Sequence, residues 1–301
     1  MKYGPKKLKK REDRELESIR KYLQEQGLRH DITMEQFWKR VSEVYDAEKA
    51  AEYDEVFHAF HYTEMHEAFR EAYYDLSAPV WAELNGTAIE PFARMLQQFC
   101  REIELVMLRV PHPVIVDAGC GVGYDVVYLA QKFPDAQFVA YDLSEPMVEQ
   151  AKARIQKYGL TNVTVTSLDH DDFAQAHSSF ADLLYTDNSG RIALPSSLDQ
   201  MKRLGRDPRY VREMLLLAVD PFFTILKPGG VYLSTSSLNR FAIGFLRESM
   251  TELKIRVDAP VVFRGMDQSD PDAKAARDHI HPVMVRLTLP VPFVHQAIYG
   301  T

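Results

Sequence analysis

Cysteine is scarce in this sequence, which holds only Cys100 and Cys120 in 301 residues. Two cysteines cannot form the disulfide framework of a small secreted domain, so we expect reduced thiols. No apolar run approaches the roughly 20 residues that span a bilayer, and the lysine-rich start lacks the apolar segment of a secretory signal. These absences predict a cytoplasmic protein that does not span a membrane.

The sequence also lacks an excess of positive charge. Its formal net charge of −7 at pH 7 argues against a protein that coats nucleic acid. Residues 1–14 are a basic exception, open to two interpretations: a nucleic-acid or nuclear-import patch, or a solvated chain terminus. Apolar residues make up 46% of the chain, which is ample for a large core.

A short strand followed by a glycine-rich turn is the most informative stretch. Residues 114–116 are an apolar run typical of a buried parallel strand, and Asp117 follows them. Every second residue is then glycine, at Gly119, Gly121 and Gly123, before a helical pattern begins. Strand, glycine turn and helix bring bare backbone to a ligand at a helix N-terminus.

The spacing of these glycines separates two classes of ligand. A dinucleotide fingerprint requires G-x-G-x-x-G, and Tyr124 occupies its third glycine position here, which disfavours hydride transfer with NAD. An acid before the glycines suits a ligand that carries an ammonium group. With its acid followed by G-x-G-x-G, the stretch resembles the first motif of the class I S-adenosylmethionine-dependent methyltransferases.

Acidic residues at the ends of the next predicted strands extend the resemblance. Asp142 lies about 20 residues beyond the glycines, where a carboxylate can accept both ribose hydroxyls, a feature shared with NAD proteins. The Lys227-Pro228-Gly229-Gly230 turn is another mark of the family. The resemblance implies S-adenosylmethionine as the cofactor and these ligands for it: Asp117, Gly119, Gly121, Gly123, Asp142, Leu143, Met147, Asp169 and His170.

Strands and helices alternate after residue 113, which predicts a parallel sheet with right-handed crossovers. We expect an α/β fold: a Rossmann-like, seven-stranded, mostly parallel sheet with helices on both faces and an N-terminal helical extension. The predicted strands are 114–116, 137–141, 163–167, 182–186, 231–235, 255–263 and 283–289. We place the extension at residues 1–88 and the cofactor-binding domain at 89–301.

The N-terminal region is predicted to be helical. One helix covers 12–26, a second begins at the capping box formed by Thr33 and Gln36, and two more lie near 47–60 and 62–75. A further amphipathic helix covers 89–108. Residues 44–57 resemble the Tyr-Asp-rich lid of small-molecule methyltransferases, which makes Tyr45 and Tyr53 candidates for the methyl-transfer pocket. Plain helix packing explains both tyrosines equally well.

Histidines cluster in the same region, and His58 and His61 share a helix face, as two metal ligands would. His66 and Glu64 lie nearby, but no cysteine or aspartate completes a familiar metal-binding spacing. We therefore predict no metal site.

The residues after the fourth strand bear on the acceptor. Tyr185 and Asp187 are candidates to face the substrate. Two motifs of nucleic-acid methyltransferases are missing here. One is the Asn/Asp-Pro-Pro-Tyr/Phe motif of the amino-methylating enzymes, and the other is the Pro-Cys pair that carries the nucleophile of the cytosine-C5 enzymes. The insertion 188–208 is basic. It either binds a carboxylate or phosphate of the substrate, with Arg191 as the candidate ligand, or forms a solvated flap.

We predict a methyltransferase for a small molecule, with an anionic group on the acceptor and no nucleic acid as a partner. A homodimer is left open. One alternative is an RNA or protein methyltransferase that uses the basic N-terminus and residues 191–209. The others are a non-catalytic partner that retains the fold and a related group transfer such as aminopropyl transfer.

Overall fold

The structure is a computed structural model of the chain. It describes residues 5–29, 32–62, 66–84, 89–187, 207–238, 240–251, 254–258, 261–262 and 281–290.

Helices dominate the first third of the chain. They are α1 (Pro5–Glu25), α2 (Met34–Val44), α3 (Ala47–Tyr62), α4 (His66–Ser77), a 3-10 turn (Ala78–Val80), α5 (Trp81–Leu84) and α6 (Ile89–Met107). The predicted capping box is present, because Thr33 accepts from the N–H of Gln36 while the Gln36 side chain accepts from the N–H of Thr33. Helix α1 begins seven residues earlier than predicted, at Pro5, where the fixed φ of proline suits a first helical position. Residues 9–11, 13 and 14 are exposed on this helix, so the basic segment is solvated as one interpretation expected, but it is helical from Pro5.

Strands and helices then alternate as predicted. The elements are β1 (Val114–Ala118), α7 (Tyr124–Lys132), β2 (Gln137–Asp142), α8 (Glu145–Lys157), β3 (Val163–Ser167), α9 (His170–Ala176), β4 (Ala181–Thr186), α10 (Pro208–Ile225), β5 (Leu226–Leu238), α11 (Arg240–Thr251), β6 (Arg256–Val257), β7 (Val261–Val262) and β8 (His281–Thr288).

The strands form one sheet in the order β3-β2-β1-β4-β5-β8-β6, with β7 paired to β8. Strand β1 runs parallel to β2 and β4, and β4 runs parallel to β5. Strand β8 is antiparallel to β5, β6 and β7. This mixed sheet confirms the predicted Rossmann-like fold class.

Two details of the sheet differ from the prediction. The strand expected over 255–263 consists of two two-residue strands, β6 and β7, so the described strands number eight. Residues 227–230, expected as a turn before the fifth strand, lie within β5. The pairing with β4 shifts register there, and Gly229 takes the left-handed φ of 77° that such an irregularity requires.

The chain forms two compact units, and the described parts of Met1–Arg101, Cys120–Phe133 and Asp142–Ser167 make up the first. Its N-terminal helices enclose an aromatic core around Tyr53, which is fully buried. The core also includes Phe37, Val41, Val56, Phe57, Tyr73, Leu76 and Val80.

The second unit comprises the described parts of Glu102–Gly119, Pro134–Tyr141 and Leu168–Thr301. Helix α10 covers part of its sheet, since Phe222 stacks on Tyr232 of β5 with ring centroids 5.1 Å apart. Across the ranges of the chain that the structure describes, no helix is both long and apolar enough to cross a membrane.

Candidate cofactor site and active site

The glycine turn has the backbone conformation that only glycine adopts readily. Gly119, Gly121 and Gly123 have φ of 80°, 51° and 82°. In the first unit, Gly123 caps the N-terminus of α7, and its N–H donates to the carbonyl of Cys120 at 2.9 Å. A Cβ at Gly123 would lie 2.8 Å from the Cβ of Ala151, so close helix packing also requires glycine there.

Gly121 serves a different purpose, because a Cβ placed on it meets nothing within 4 Å. Its N–H donates to Oδ2 of Asp142 at 2.8 Å, and the N–H of Ser144 donates to Oδ1 at 3.0 Å. Burial raises the pKa of Asp142, and the hydrogen bonds from backbone N–H groups oppose this effect. The carboxylate is thus held in place beside open space at the glycine turn.

The two apolar residues assigned to the adenine ring differ in position. Leu143, next to Asp142, is 53% exposed, although leucine favours the core. Met147 is only 1% exposed and shares the buried face of α8 with Val148 and Ala151. The helical period turns Met147 inward, and its expected contact with an adenine ring stays a prediction.

Two side chains far away in sequence hold the glycine turn from outside. Arg154 of α8 donates to the carbonyl of Val122 at 2.9 Å, and its guanidinium lies 4.5 Å from the centroid of the Tyr124 ring. Tyr22 of α1 donates to the carbonyl of Tyr124 at 2.8 Å. Sequence reasoning missed both, because no local pattern links a residue of α1 to a turn about a hundred residues later.

In the second unit, the predicted ligand Asp117 is 1% exposed and is the fourth of the five residues of β1. Gly119 follows it and donates its N–H to the carbonyl of Tyr141 at 2.8 Å. The structure therefore places the acid in a buried position at the carboxyl end of its strand, where ligands of open α/β sheets bind.

Asp169 and His170 begin helix α9. Asp169 caps this helix, accepting from the N–H of Asp172 at 2.7 Å through Oδ1. His170 lies with Nδ1 3.0 Å from the hydroxyl of Tyr141, and its ring meets Phe222 edge-on at 4.9 Å. Contacts within the second unit thus orient the imidazole that the resemblance assigns to adenine.

The acceptor candidates Tyr185 and Asp187 lie at the carboxyl end of β4. Asp187 is half-buried, and Oδ1 accepts from the hydroxyl of Thr235 at 2.7 Å. Burial raises the pKa of Asp187 to about 6, against the opposing effect of the Thr235 hydrogen bond. Tyr185 is completely buried, and its expected role at the substrate stays a prediction.

The tyrosines expected in a lid have packing contacts in the first unit. Tyr45 donates to the carbonyl of Leu76 at 2.7 Å, and the hydroxyl of Tyr53 lies 2.7 Å from that of Ser77. Burial raises the pKa of both phenols. These contacts correspond to the alternative interpretation of helix packing.

The remaining candidates give no further ligand cluster. His58 contacts Asp54, and His61 lies 3.1 Å from the hydroxyl of Tyr73. Among the residues with described side chains, no group of three or more histidines, cysteines or acids could hold a metal. Arg191 and most of the basic insertion lie outside the described residues.

Comparison with known proteins identifies the domain around the glycine turn. Residues 115–204 match the family model described as "Methyltransferase domain". A solved structure, magnesium protoporphyrin IX methyltransferase from Synechocystis PCC 6803 with bound SAM, shares the fold at a TM-score of 0.50 and 13% identity. The likeness covers 74% of this chain and 96% of that one.

Two curated relatives act on different substrates. A tRNA (guanine-N(7)-)-methyltransferase of Synechococcus sp. is 27% identical over 139 residues, which are 46% of this chain and 55% of that enzyme. A trans-aconitate 2-methyltransferase of Deinococcus radiodurans is 34% identical over 119 residues, which are 40% of this chain and 42% of that enzyme. The chain thus spans about half the length of these relatives.

Proposed function

Because this chain belongs to the class I S-adenosylmethionine-dependent methyltransferases, we propose that it transfers the methyl group of this cofactor to a small-molecule acceptor. The carboxylate of Asp142 carries the proposal. It is held by the N–H groups of Gly121 and Ser144, and each oxygen retains a lone pair for a ribose hydroxyl. The exposed Leu143 beside it offers apolar surface to a purine ring.

The other family positions complete the set of cofactor ligands. These positions are proposed from the family motifs: Asp117 with the backbone of Gly119 and Gly121 for the amino-acid end, and Asp169 for the adenine amino group. When bound, the cofactor supplies an electrophilic methyl group on a sulfonium. The residues of the chain align the acceptor with that methyl group and keep water out.

Asp187 is the residue that we propose as proton acceptor. A carboxylate with a pKa of about 6 is ionised at neutral pH yet basic enough to take a proton from an acceptor hydroxyl or ammonium. The hydroxyl of Thr235 fixes the direction of its second oxygen. The buried Tyr185 has no part in this proposal.

Two observations support a small acceptor. One relative is named as a methyltransferase of trans-aconitate, a small anionic molecule. The net charge of −7 disfavours a polyanionic partner. The anionic group of the acceptor remains a proposal that rests on the basic insertion.

Calorimetric titration with S-adenosylmethionine, S-adenosylhomocysteine and NAD tests the cofactor site. We expect micromolar binding of the first two, no binding of NAD, and a loss of about tenfold or more in Asp142→Ala. Asp135→Ala, which removes an exposed carboxylate near the other end of β2, is the matched control. A folded wild-type protein that binds neither sulfur compound would place the non-catalytic alternative first.

Transfer of a radiolabelled methyl group tests the class of acceptor. A panel of small carboxylic acids, total tRNA and a protein extract is incubated with the enzyme, and acid-soluble counts are separated from acid-precipitable ones. A small acceptor gives acid-soluble product. Precipitable counts that are sensitive to ribonuclease or protease would overturn the small-molecule assignment.

An RNA substrate is the second candidate, since one relative is named as a tRNA methyltransferase. The basic residues Lys9, Lys10, Arg11 and Arg14 lie on α1 and could contact phosphates. Binding of tRNA that falls steeply with salt and weakens when these four residues become glutamine would support it. Salt-independent or absent binding would exclude this use of α1.

A further inference from the structure

The N-terminal helices share a compact unit with the segments that follow the two cofactor strands. This unit joins the described part of Met1–Arg101 to Cys120–Phe133 and Asp142–Ser167. This division differs from the predicted one, in which residues 1–88 form a separate extension. It groups the N-terminal helices with the turns after β1 and β2. The contacts that create this grouping are specific hydrogen bonds.

Helix α1 reaches the turn after β1. The hydroxyl of Tyr22 donates to the carbonyl of Tyr124 at 2.8 Å, and Tyr124 is the residue directly after Gly123. Tyr22 is 6% exposed, and its ring lies 5.1 Å from that of Tyr128, one turn further along α7. Burial raises the pKa of Tyr22 well above its ordinary value, so the phenol remains a hydrogen-bond donor at neutral pH.

Helix α4 reaches the turn after β2. The hydroxyl of Ser144 donates to Oδ1 of Asp75 at 2.5 Å. Ser144 is the N-cap of α8, and its N–H donates to Asp142. The negative charge of Asp75 near the N-terminus of α8 is also favoured by the helix dipole.

We propose that Tyr22 and Asp75 are positioning residues of the cofactor site, through which the N-terminal helices hold the glycine turn and the Leu143–Ser144 turn in their binding conformation. This inference rests on the proposed function. It assigns the helical region a task in cofactor binding that does not depend on a lid over the acceptor.

The physical reason is the flexibility of glycine. A turn with glycines at 119, 121 and 123 gains more conformational freedom when it is released than the same turn with other residues at these positions. Cofactor binding must remove that freedom unless other contacts have already done so. Because coupling is reciprocal, bound cofactor also strengthens the docking of α1 and α4.

The test uses Tyr22→Phe, Asp75→Ala and Asp75→Asn in the full chain. The asparagine keeps an acceptor oxygen for Ser144 and acts as the rescue variant. Tyr158→Phe is the matched control, because it removes a phenol hydroxyl that accepts a hydrogen bond from Gln26, the residue after α1, at 2.6 Å but lies beyond the C-terminus of α8.

Two readouts are measured well below the melting temperature. Without cofactor, amide hydrogen exchange should accelerate over residues 121–128 in Tyr22→Phe and over 143–148 in Asp75→Ala. The dissociation constant of S-adenosylhomocysteine should rise about threefold to tenfold in each, as the loss of one hydrogen bond predicts. Asp75→Asn should remain within about twofold of the wild type, and Tyr158→Phe should change neither readout.

Unchanged exchange in both turns would overturn the inference, and so would equal weakening by Tyr158→Phe, which would indicate general loosening. If the wild-type protein binds no S-adenosylhomocysteine, the proposed function fails, while the exchange data still decide whether Tyr22 and Asp75 hold the turns. If Asp75→Ala does not fold, Ser144→Ala removes the same hydrogen bond from the other side.

Discussion

The hydroxyl of Thr235 in β5 donates a hydrogen bond of 2.7 Å to Oδ1 of Asp187 at the end of β4. This bond favours the ionised carboxylate, whereas burial favours the protonated form, and burial prevails. The pKa of Asp187 is therefore raised from 3.8 to about 6, within the range in which a proton acceptor operates.

The raised pKa of Asp187 predicts a pH dependence of stability. Between about pH 4 and 6 the folded state binds more protons than the unfolded state, so the free energy of unfolding should fall as pH rises through this window. Below pH 4 both states are protonated and the contribution vanishes. In Asp187→Asn this pH-dependent contribution, on the order of 3 kcal/mol for a pKa raised from 3.8 to about 6, should be lost.

Urea unfolding at half-unit steps from pH 4 to 8 measures this slope. Thr235→Val should shift the inflection to higher pH, because it removes the hydrogen bond that stabilises the carboxylate. An Asp187→Asn protein with the same pH profile as the wild type would show that Asp187 has an ordinary pKa.

The glycines at 121 and 123 should respond differently to alanine. Both have positive φ, which costs about 1 kcal/mol or more for alanine, but only at Gly123 does the new Cβ collide, with Ala151 at 2.8 Å. Gly123→Ala should therefore lose roughly 1–3 kcal/mol more stability than Gly121→Ala.

Chemical unfolding and calorimetry separate the two effects. In Gly121→Ala the methyl group enters open space that we assign to the cofactor, so affinity should fall more than stability. Equal stability losses in the two variants would show that the contact with Ala151 relaxes freely.

Arg286 of β8 is the centre of a partly buried ion cluster in the second unit. It donates to Glu102 at 2.9 Å and to Asp258 at 2.5 Å. Arg286→Leu removes the cation that balances two acids and should cost about 3–5 kcal/mol in the free energy of unfolding. Arg256→Leu breaks an ion pair with Asp258 at an exposed position and should cost less than about 1 kcal/mol.

Urea unfolding of both variants checks the difference. Similar losses in the two proteins would mean that the cluster around Arg286 contributes no more than a surface ion pair.

Tyr53 distinguishes a packing role from a role in the acceptor pocket. Its hydroxyl lies 2.7 Å from Ser77, and both residues are fully buried. Tyr53→Phe should lower the free energy of unfolding by about 1 kcal/mol and leave binding of S-adenosylhomocysteine unchanged. Tyr62→Phe, at a side chain 72% exposed, is the control that should change neither quantity.

Thermal and urea unfolding measure the change in the free energy of unfolding. The rate of methyl transfer to an identified acceptor tests whether Tyr53 acts in the acceptor pocket. A Tyr53→Phe protein of wild-type stability with a reduced transfer rate would place this hydroxyl in the pocket.

Local sequence patterns were sufficient for most of the secondary structure. The strand from Val163 to Ser167 has the predicted limits, and α6 (Ile89–Met107) ends one residue before the predicted 108. Thr33 caps α2 as expected, because capping depends only on neighbours three residues away. The strand over 255–263 was predicted less well, since pairing with β8 decides how much of an apolar run becomes strand.

The sequence by itself determined the glycine turn, the acids at the strand ends and the order of strands and helices, because each depends on backbone conformation or on chain order. Only the tertiary structure decided that Met147 is buried, that Tyr185 lies in the core and that Thr235 binds Asp187. It alone joined Tyr22 to Tyr124 and Asp75 to Ser144. Such pairs are separated by tens of residues or more, and their geometry follows from packing that no local pattern encodes.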